Sequence, residues 1–333
     1  MKKTILLLVF AITALCARAQ QDTQVSQYIF NGIYINPAYA GYKDDLFIQS
    51  YYRSQWVGVN GAPKSFAVAG DGSFQNGSVG LGVILSSDQI GAQSVVTGYL
   101  NYAYRIRVGE DENSKLSFGI AAGMMQLGID GAKLNAITPG DQAVPVGSQS
   151  RLTPDANFGI YYSTAHYFAG ASATNILGKF ILKNNESSIL VPIPQPHFYL
   201  TAGALIGINE QMKFKPVILL KDDVKGPTSL DIDGFILMNE RLSIGAFYRS
   251  SVKLYQKNNL QNDLPSQNAF GGIIEFFATP NLRIGYSYDH ALNALGNYNY
   301  GSHELSVGLY IDRGSSRKSG SYVGSDGSRC YKF

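Results

Sequence analysis

His303-Glu304-Leu305-Ser306-Val307-Gly308-Leu309-Tyr310-Ile311 is the last regular stretch of the chain, and its reading decides the fold. Leu305, Val307, Leu309 and Ile311 fall on one side of an extended backbone. Glu304, Ser306, Gly308 and Tyr310 fall on the other, so one face is oily and the other polar or small. A single copy fits any half-buried strand. The chain repeats the pattern about fourteen times, with almost no helical period between copies. The expected fold class is therefore all-β: a transmembrane antiparallel β-barrel of the outer-membrane type over residues 46–311.

Upstream strands carry the same alternation. In the fourth, Val96, Leu100, Tyr102, Tyr104 and Ile106 oppose Thr97, Asn101, Arg105 and Arg107. In the thirteenth, Leu282, Ile284, Tyr286 and Tyr288 oppose Arg283, Ser287 and Asp289. The connections support an even count. Those at 75–77, 108–113, 165–166, 209–210, 239–240 and 278–280 are short and turn-like. Those at 55–63, 87–92, 129–155, 176–196, 222–226, 251–268 and 290–301 are mostly longer. Short turns at one end and long loops at the other suit a barrel with periplasmic turns and extracellular loops.

Charge placement points the same way. Arg105, Arg107, Asp231, Asp233, Arg241, Arg249, Arg283, Asp289 and Glu304 all take the polar parity of their strands. A lipid-facing arginine near the midplane costs about 2–4 kcal/mol, so these side chains are expected in the lumen. Both signs occur there, so they can pair across the interior. Pairing is the simpler use and a selectivity or substrate site the sharper one.

Composition excludes other classes. The 333 residues include 36 Gly, 22 Tyr and 17 Phe but one Trp, and 15 % are charged. The mean hydropathy of −0.04 excludes a helical membrane protein, because alternating oily and polar positions cancel in any window. A net charge of +3 with no dense basic run gives no footprint for nucleic acid.

Residues 1–19 read as a signal peptide. Lys2 and Lys3 precede an apolar run, and Ala17-Arg18-Ala19 offers a cleavage site. Cys16 raises lipidation, but Leu15 is large where a lipobox wants a small residue. Cleavage would leave Cys330 alone, so no internal disulfide is expected. Residues 20–45 carry Tyr28, Phe30, Tyr34 and Tyr39 and a break at Asn36-Pro37. They are too apolar for a loose tail and too broken for a membrane strand, so they are expected as a plug or a periplasmic rim piece. Residues 312–333 are rich in Gly and Ser and read as a flexible tail.

No catalytic or metal chemistry stands out. His166, His197, His290 and His303 are scattered, without an HExxH or CxxC spacing, so neither a metal nor a cofactor is expected. Gly70-Asp71-Gly72 lacks the helix and the Lys-Ser/Thr of a phosphate loop, and strand glycine is the simpler reading. Asp231 and Asp233 share a face, which facing cations explain as well as an acid pair does. No spacing assembles a nucleophile and base, so the chain is not read as an enzyme.

Three stretches go beyond a generic barrel. They are Asn36-Pro37-Ala38-Tyr39-Ala40-Gly41, then Tyr52-Arg53-Ser54-Gln55-Trp56-Val57-Gly58 with Gly61-Ala62-Pro63-Lys64-Ser65, and Gly301-Ser302-His303-Glu304-Leu305-Ser306. Together, in this order, they resemble the PorP/SprF family of type IX secretion system membrane proteins, over about residues 24–311. The resemblance implies an outer-membrane barrel in contact with lipid. It also implies work with periplasmic secretion and gliding components, or secretion and surface anchoring of a large adhesin through its C-terminal domain.

Asn36, Pro37, Tyr39, Gly41, Arg53 and Trp56 are the candidate plug or partner-binding residues. Pro37 biases Asn36 to an extended backbone, and Gly41 lets the chain turn into the first strand. Whether this motif seals the barrel or meets a partner stays open. Trp56 suits an interface anchor or a hot spot for an extracellular partner. The alternative to an export role is a porin-like or ligand-transporting channel, because fourteen strands enclose more space than side chains usually fill. A lumen filled by the N-terminal segment would weigh against the channel.

Overall fold

The structure, a computed structural model, describes residues 25–43, 45–109, 114–134, 145, 147–183, 194–224, 226–257 and 267–311. The expected signal peptide, residues 20–24 and the tail lie outside the described residues. One sheet holds every strand among the described residues. Its members are β1 (Leu46–Ser54), β2 (Lys64–Phe74), β3 (Val79–Ile90), β4 (Gln93–Arg107), β5 (Lys115–Asp130), β6 (Ser148–Ser163), β7 (Tyr167–Thr174) and β8 (His197–Ala204). They are followed by β9 (Ile206–Gly207), β10 (Met212–Asp223), β11 (Thr228–Met238), β12 (Leu242–Val252), β13 (Gln267–Phe277), β14 (Leu282–Ala291) and β15 (Ser302–Ile311). The two segments β8 and β9 both pair with β10 and form one strand interrupted at Leu205. Fourteen strands therefore run antiparallel around the barrel.

The quoted stretch closes the circle. β15 pairs with β1 from Ser54↔His303 to Leu46↔Ile311, and with β14 on its other side. Along β15, Leu305, Val307, Leu309 and Ile311 are exposed, while Glu304, Ser306 and Tyr310 are buried inside. The same alternation in the other strands gives an outer surface of Leu, Ile, Val, Phe and Tyr, as lipid requires. Short turns gather at one end, the periplasmic one, and the longer connections at the other.

The structure extends the strands where no oily alternation announces them. The expected loop 87–92 shrinks to Gly91 and Ala92, because β3 and β4 pair as far as Ile90↔Gln93. The expected loop 129–155 shrinks to 131–147, because the β5–β6 ladder runs to Asp130↔Ser148. A bilayer needs only ~9–11 strand residues, so these ends rise above it. Two charge placements are also corrected. Arg241 lies in the β11–β12 turn and is exposed, and Arg107 is the last residue of β4 and exposed at the periplasmic rim. Both keep lumen parity but sit past the enclosed interior.

A substitution pair tests the height of the lipid band. Leu100→Arg, outward at mid-height on β4, should cost about 2–4 kcal/mol in reversible urea unfolding in liposomes, and Gln126→Arg, higher on β5, about 0–1 kcal/mol. Equal costs at the two positions would place the band elsewhere.

Candidate functional site

The N-terminal segment lies inside the barrel. Three short 3-10 turns, Tyr28–Phe30, Gly32–Tyr34 and Pro37–Tyr39, carry it through the lumen. Tyr28, Ile29, Phe30, Ile33, Ala38, Tyr39 and Ala40 are buried. At the periplasmic end they join lumen-facing Phe47, Phe235, Leu237, Phe277 and Tyr310 in one apolar cluster. The lower lumen thus holds an apolar cluster with the charged side chains of Lys43, Lys215, Glu275 and Arg283 buried beside it.

Polar groups set the segment's path. Near the extracellular ends of β1 and β15, the backbone N–H groups of Ser26 and Gln27 donate to the Glu304 carboxylate at 2.9 and 3.0 Å. The Gln27 carboxamide donates to the Glu304 carbonyl at 3.1 Å and accepts from the Ser306 hydroxyl at 2.6 Å. Lower down, Tyr28 donates its hydroxyl to Asp233. Arg283 donates to the Phe30 carbonyl at 3.1 Å and to the Asn31 side chain at 2.7 Å. Lys43 donates to the Phe30 carbonyl at 3.0 Å and lies 3.8 Å from the Phe47 ring centroid, a cation–π contact.

The Asn36–Gly41 motif latches the segment to the opposite wall. Asn36 is extended (φ −145°, ψ 112°), as Pro37 demands, and its side chain caps the last turn by accepting from the Ala38 N–H at 2.9 Å. Its Nδ2 donates to the Ile160 and Ala171 carbonyls on β6 and β7 at 3.0 and 3.3 Å. Tyr39 packs against the rings of Tyr42 and Tyr161 at 5.0 and 5.4 Å. Gly41 has φ +67°, donates its N–H to Asp71 at 2.7 Å, and sits where a Cβ would strike the Gly72 carbonyl. Arg105 closes the latch by donating to the carbonyls of Ala40 and Gly77. The wall is shaved to fit: a Cβ on Gly80, Gly119 or Gly159 would collide with Ala40, Ala38 or Asn36.

The lumen charges form a network instead of lining a channel. Arg53 bridges Asp289 at 2.9 Å and Glu304 at 3.1 Å. Arg249 binds Asp231 at 2.7 Å and approaches Asp289 at 3.8 Å. Arg283 meets Glu275 at 3.2 Å. The expected residues Arg53, Arg105, Asp231, Asp233, Arg249, Arg283, Asp289 and Glu304 thus stand in the lumen, and most touch the plug or one another. Asp71 and Glu275, not singled out as lumen charges, and Lys215, read only as lying on the polar face of its strand, are all buried. The signal was available in their parity. Glu275 sits between Ile274 and Phe276, and Asp71 lies in a glycine-flanked stretch of the second strand.

Above the plug a cavity of about 540 Å³ remains beneath the extracellular loops. Its walls include Trp56, Tyr99, Asn101, Leu127, Asn157 and Thr174. Trp56 is half-buried, has φ +46°, and donates its N–H to the Ser302 hydroxyl at 3.3 Å. The plug closes this vestibule on its periplasmic side.

Gly119→Leu tests the latch. Its side chain needs the space of Ala38, so the plug should be displaced. Planar-bilayer conductance should rise at least severalfold, as it should on deleting residues 22–39. Added protease should then cleave within residues 25–43. Unchanged conductance in both variants would show that the segment does not seal the lumen.

Residues 17–309 match the family described as type IX secretion system membrane protein PorP/SprF. No curated protein matches. Among solved structures, the Acinetobacter baumannii outer membrane protein Omp33 aligns with TM-score 0.45 and 10 % identity, covering 80 % of this chain and 98 % of that one. A Pseudomonas aeruginosa FadL homologue aligns with TM-score 0.44 and 9 % identity, covering 83 % and 92 %. The COG4313 outer membrane channel from Pseudomonas putida F1 aligns with TM-score 0.43 and 11 % identity, covering 80 % and 96 %. With its closed barrel and a match over nearly its whole length, the chain is an outer-membrane protein belonging to the PorP/SprF family of type IX secretion system membrane proteins.

Proposed function

We propose that this barrel is a non-enzymatic holder in type IX export, gripping a large secreted surface protein by its C-terminal domain at the extracellular mouth. One observation carries the reading: the lumen is filled by its own N-terminal segment from below and kept open as a vestibule above. A diffusion channel needs a continuous water path, and residues 26–43 lie across it. A holder needs a rigid base and a recessed surface facing outward. The ion-paired lumen supports the first, and the vestibule with its loop residues supports the second. On this reading Trp56 is a partner contact. Components of the secretion and gliding apparatus would meet the short periplasmic turns, and an adhesin would be the cargo held outside.

Deleting the gene should move the surface protein from the cell envelope to the medium, or block its export, with at least a tenfold loss of surface labelling. Pull-down of the intact barrel should recover that protein through its C-terminal domain. Trp56→Ala should weaken this attachment by about 2 kcal/mol, the cost of losing a hot-spot aromatic. Unchanged surface labelling, with only other porins recovered, would overturn the reading.

A further inference from the structure

We infer that the outer flank of β6 is a docking edge for an extended peptide, which adds to the sheet as one more strand and sends its end into the vestibule. The inference rests on the export reading only for the source of the peptide, a secreted chain.

The edge follows from the pairing. β6 pairs with β5 along its whole length, from Lys115↔Ser163 to Asp130↔Ser148. It pairs with β7 only from Phe158 to Ser163. Just above, residues 175–178 fasten onto it. The Ile176 N–H donates to the Ala156 carbonyl at 3.2 Å, and Leu177 and Gly178 donate to the Asp155 carboxylate at 2.9 and 3.1 Å. From Ser148 to Pro154, no described residue pairs with this flank.

In an antiparallel ladder, backbone groups point alternately to one neighbour and the other. Ala156 points away from β5, because its carbonyl accepts from Ile176. Pro154, Leu152, Ser150 and Ser148 share its parity. Pro154 fits that assignment, having no N–H to lose at an outer edge. The N–H groups of Ser148, Ser150 and Leu152 and the matching carbonyls therefore face outward, with no partner among the described residues. About ten residues from Ser163 span the hydrocarbon, so the template stands above the lipid. Exposed edges of this kind invite strand addition, and peptide-binding domains use them so.

The vestibule supplies an independent observation. Asn101 and Thr174 line it, are 4 % and 7 % exposed, and their Nδ2 and Oγ1 find no partner among the described residues. Buried polar groups without partners point to a missing ligand group or water. The walls mix neutral carboxamides, from Asn157 and Asn175, with apolar Ile84 and Met125. Carboxamides donate and accept, as a peptide backbone does, and the apolar surface suits uncharged side chains. An anion would need a free cation, whereas Arg53 is neutralised by Asp289 and Glu304. Leu127 and Gly128 of the vestibule wall pair with Arg151 and Ser150 of β6, so edge and cavity share one piece of sheet.

The test uses the intact barrel in lipid nanodiscs and a display library of random nine-residue peptides. Wild type should enrich uncharged, β-prone sequences. Leu152→Pro, which removes an outward N–H and leaves the β5 ladder whole, should weaken their binding at least tenfold. Ser150→Pro serves where Leu152→Pro fails the heat-modifiable migration that marks a folded barrel. Asn101→Leu should weaken them about threefold or more, with the edge intact. No enrichment by wild type, or equal binding by a folded proline variant, overturns the proposal. Enrichment lost in the proline variant while the gene-deletion strain still exports and displays its surface proteins would keep the docking edge and reject the export reading.

Discussion

In hydrocarbon no water is available to an unpaired backbone N–H or carbonyl, and each orphan costs several kcal/mol. Every strand at membrane depth must therefore have two neighbours, which β1 and β15 obtain from each other. That closure fixes the strand number, and the strand number fixes a lumen wider than the strands' own side chains fill. The plug is the answer to the lumen. It removes the void from below with residues 25–43 and leaves the remainder where loops overlook it. The outer surface could be greasy without any of this; the interior could not be stable without it.

The filling is built in two registers. Near the periplasm, Phe30, Phe47, Phe235, Leu237 and Tyr310 pack together around Lys43 and the Arg283–Glu275 pair. Higher up, ion pairs and backbone hydrogen bonds take over, with Glu304 receiving two N–H groups of the plug while it neutralises Arg53. Buried ion pairs are poor sources of net stability, but removing one partner typically costs 3–5 kcal/mol. Such a network rewards one arrangement and penalises every near miss. It holds the plug in register instead of merely keeping it inside. The shaved wall at Gly80, Gly119 and Gly159 does the same by shape, since only a strip without side chains admits the Asn36–Gly41 backbone.

Much of this was legible before any coordinates. Period-two alternation survives wherever one face meets lipid and the other does not, so β1 and β2 begin and end where their sequences say, and β15 opens one residue early. The lumen residues were readable for the same reason, since Arg105, Arg283 and Glu304 could go nowhere else, whereas Arg53 was read as a plug or partner contact and stands in the lumen beside Glu304. Arg107 and Arg241 shared that parity, but parity carries no information on height, and both lie at the rim. Asn36-Pro37 and Gly41 announced a break and a turn. Their docking against three glycines from β3, β5 and β6 is a long-range fit that no local pattern encodes. Trp56 is a similar case: its residue type suited an interface, while its place in the vestibule wall depends on how loops from distant parts of the chain converge.

The failure at β6 has a different cause, and it connects the sequence to the role. Ser148-Gln149-Ser150-Arg151 has water on both faces, so selection for one greasy side is absent and the strand looks like loop. The same water relaxes the pairing rule that governs the membrane below. A backbone group that would be intolerable beside Phe158 is affordable beside Ser150. A barrel wall that outgrows its bilayer thus gains the one thing the spanning part cannot have, an edge. Because that edge shares a wall with a recess closed from below, a peptide docked as proposed would be led inward and not through, which would suit a grip rather than a passage.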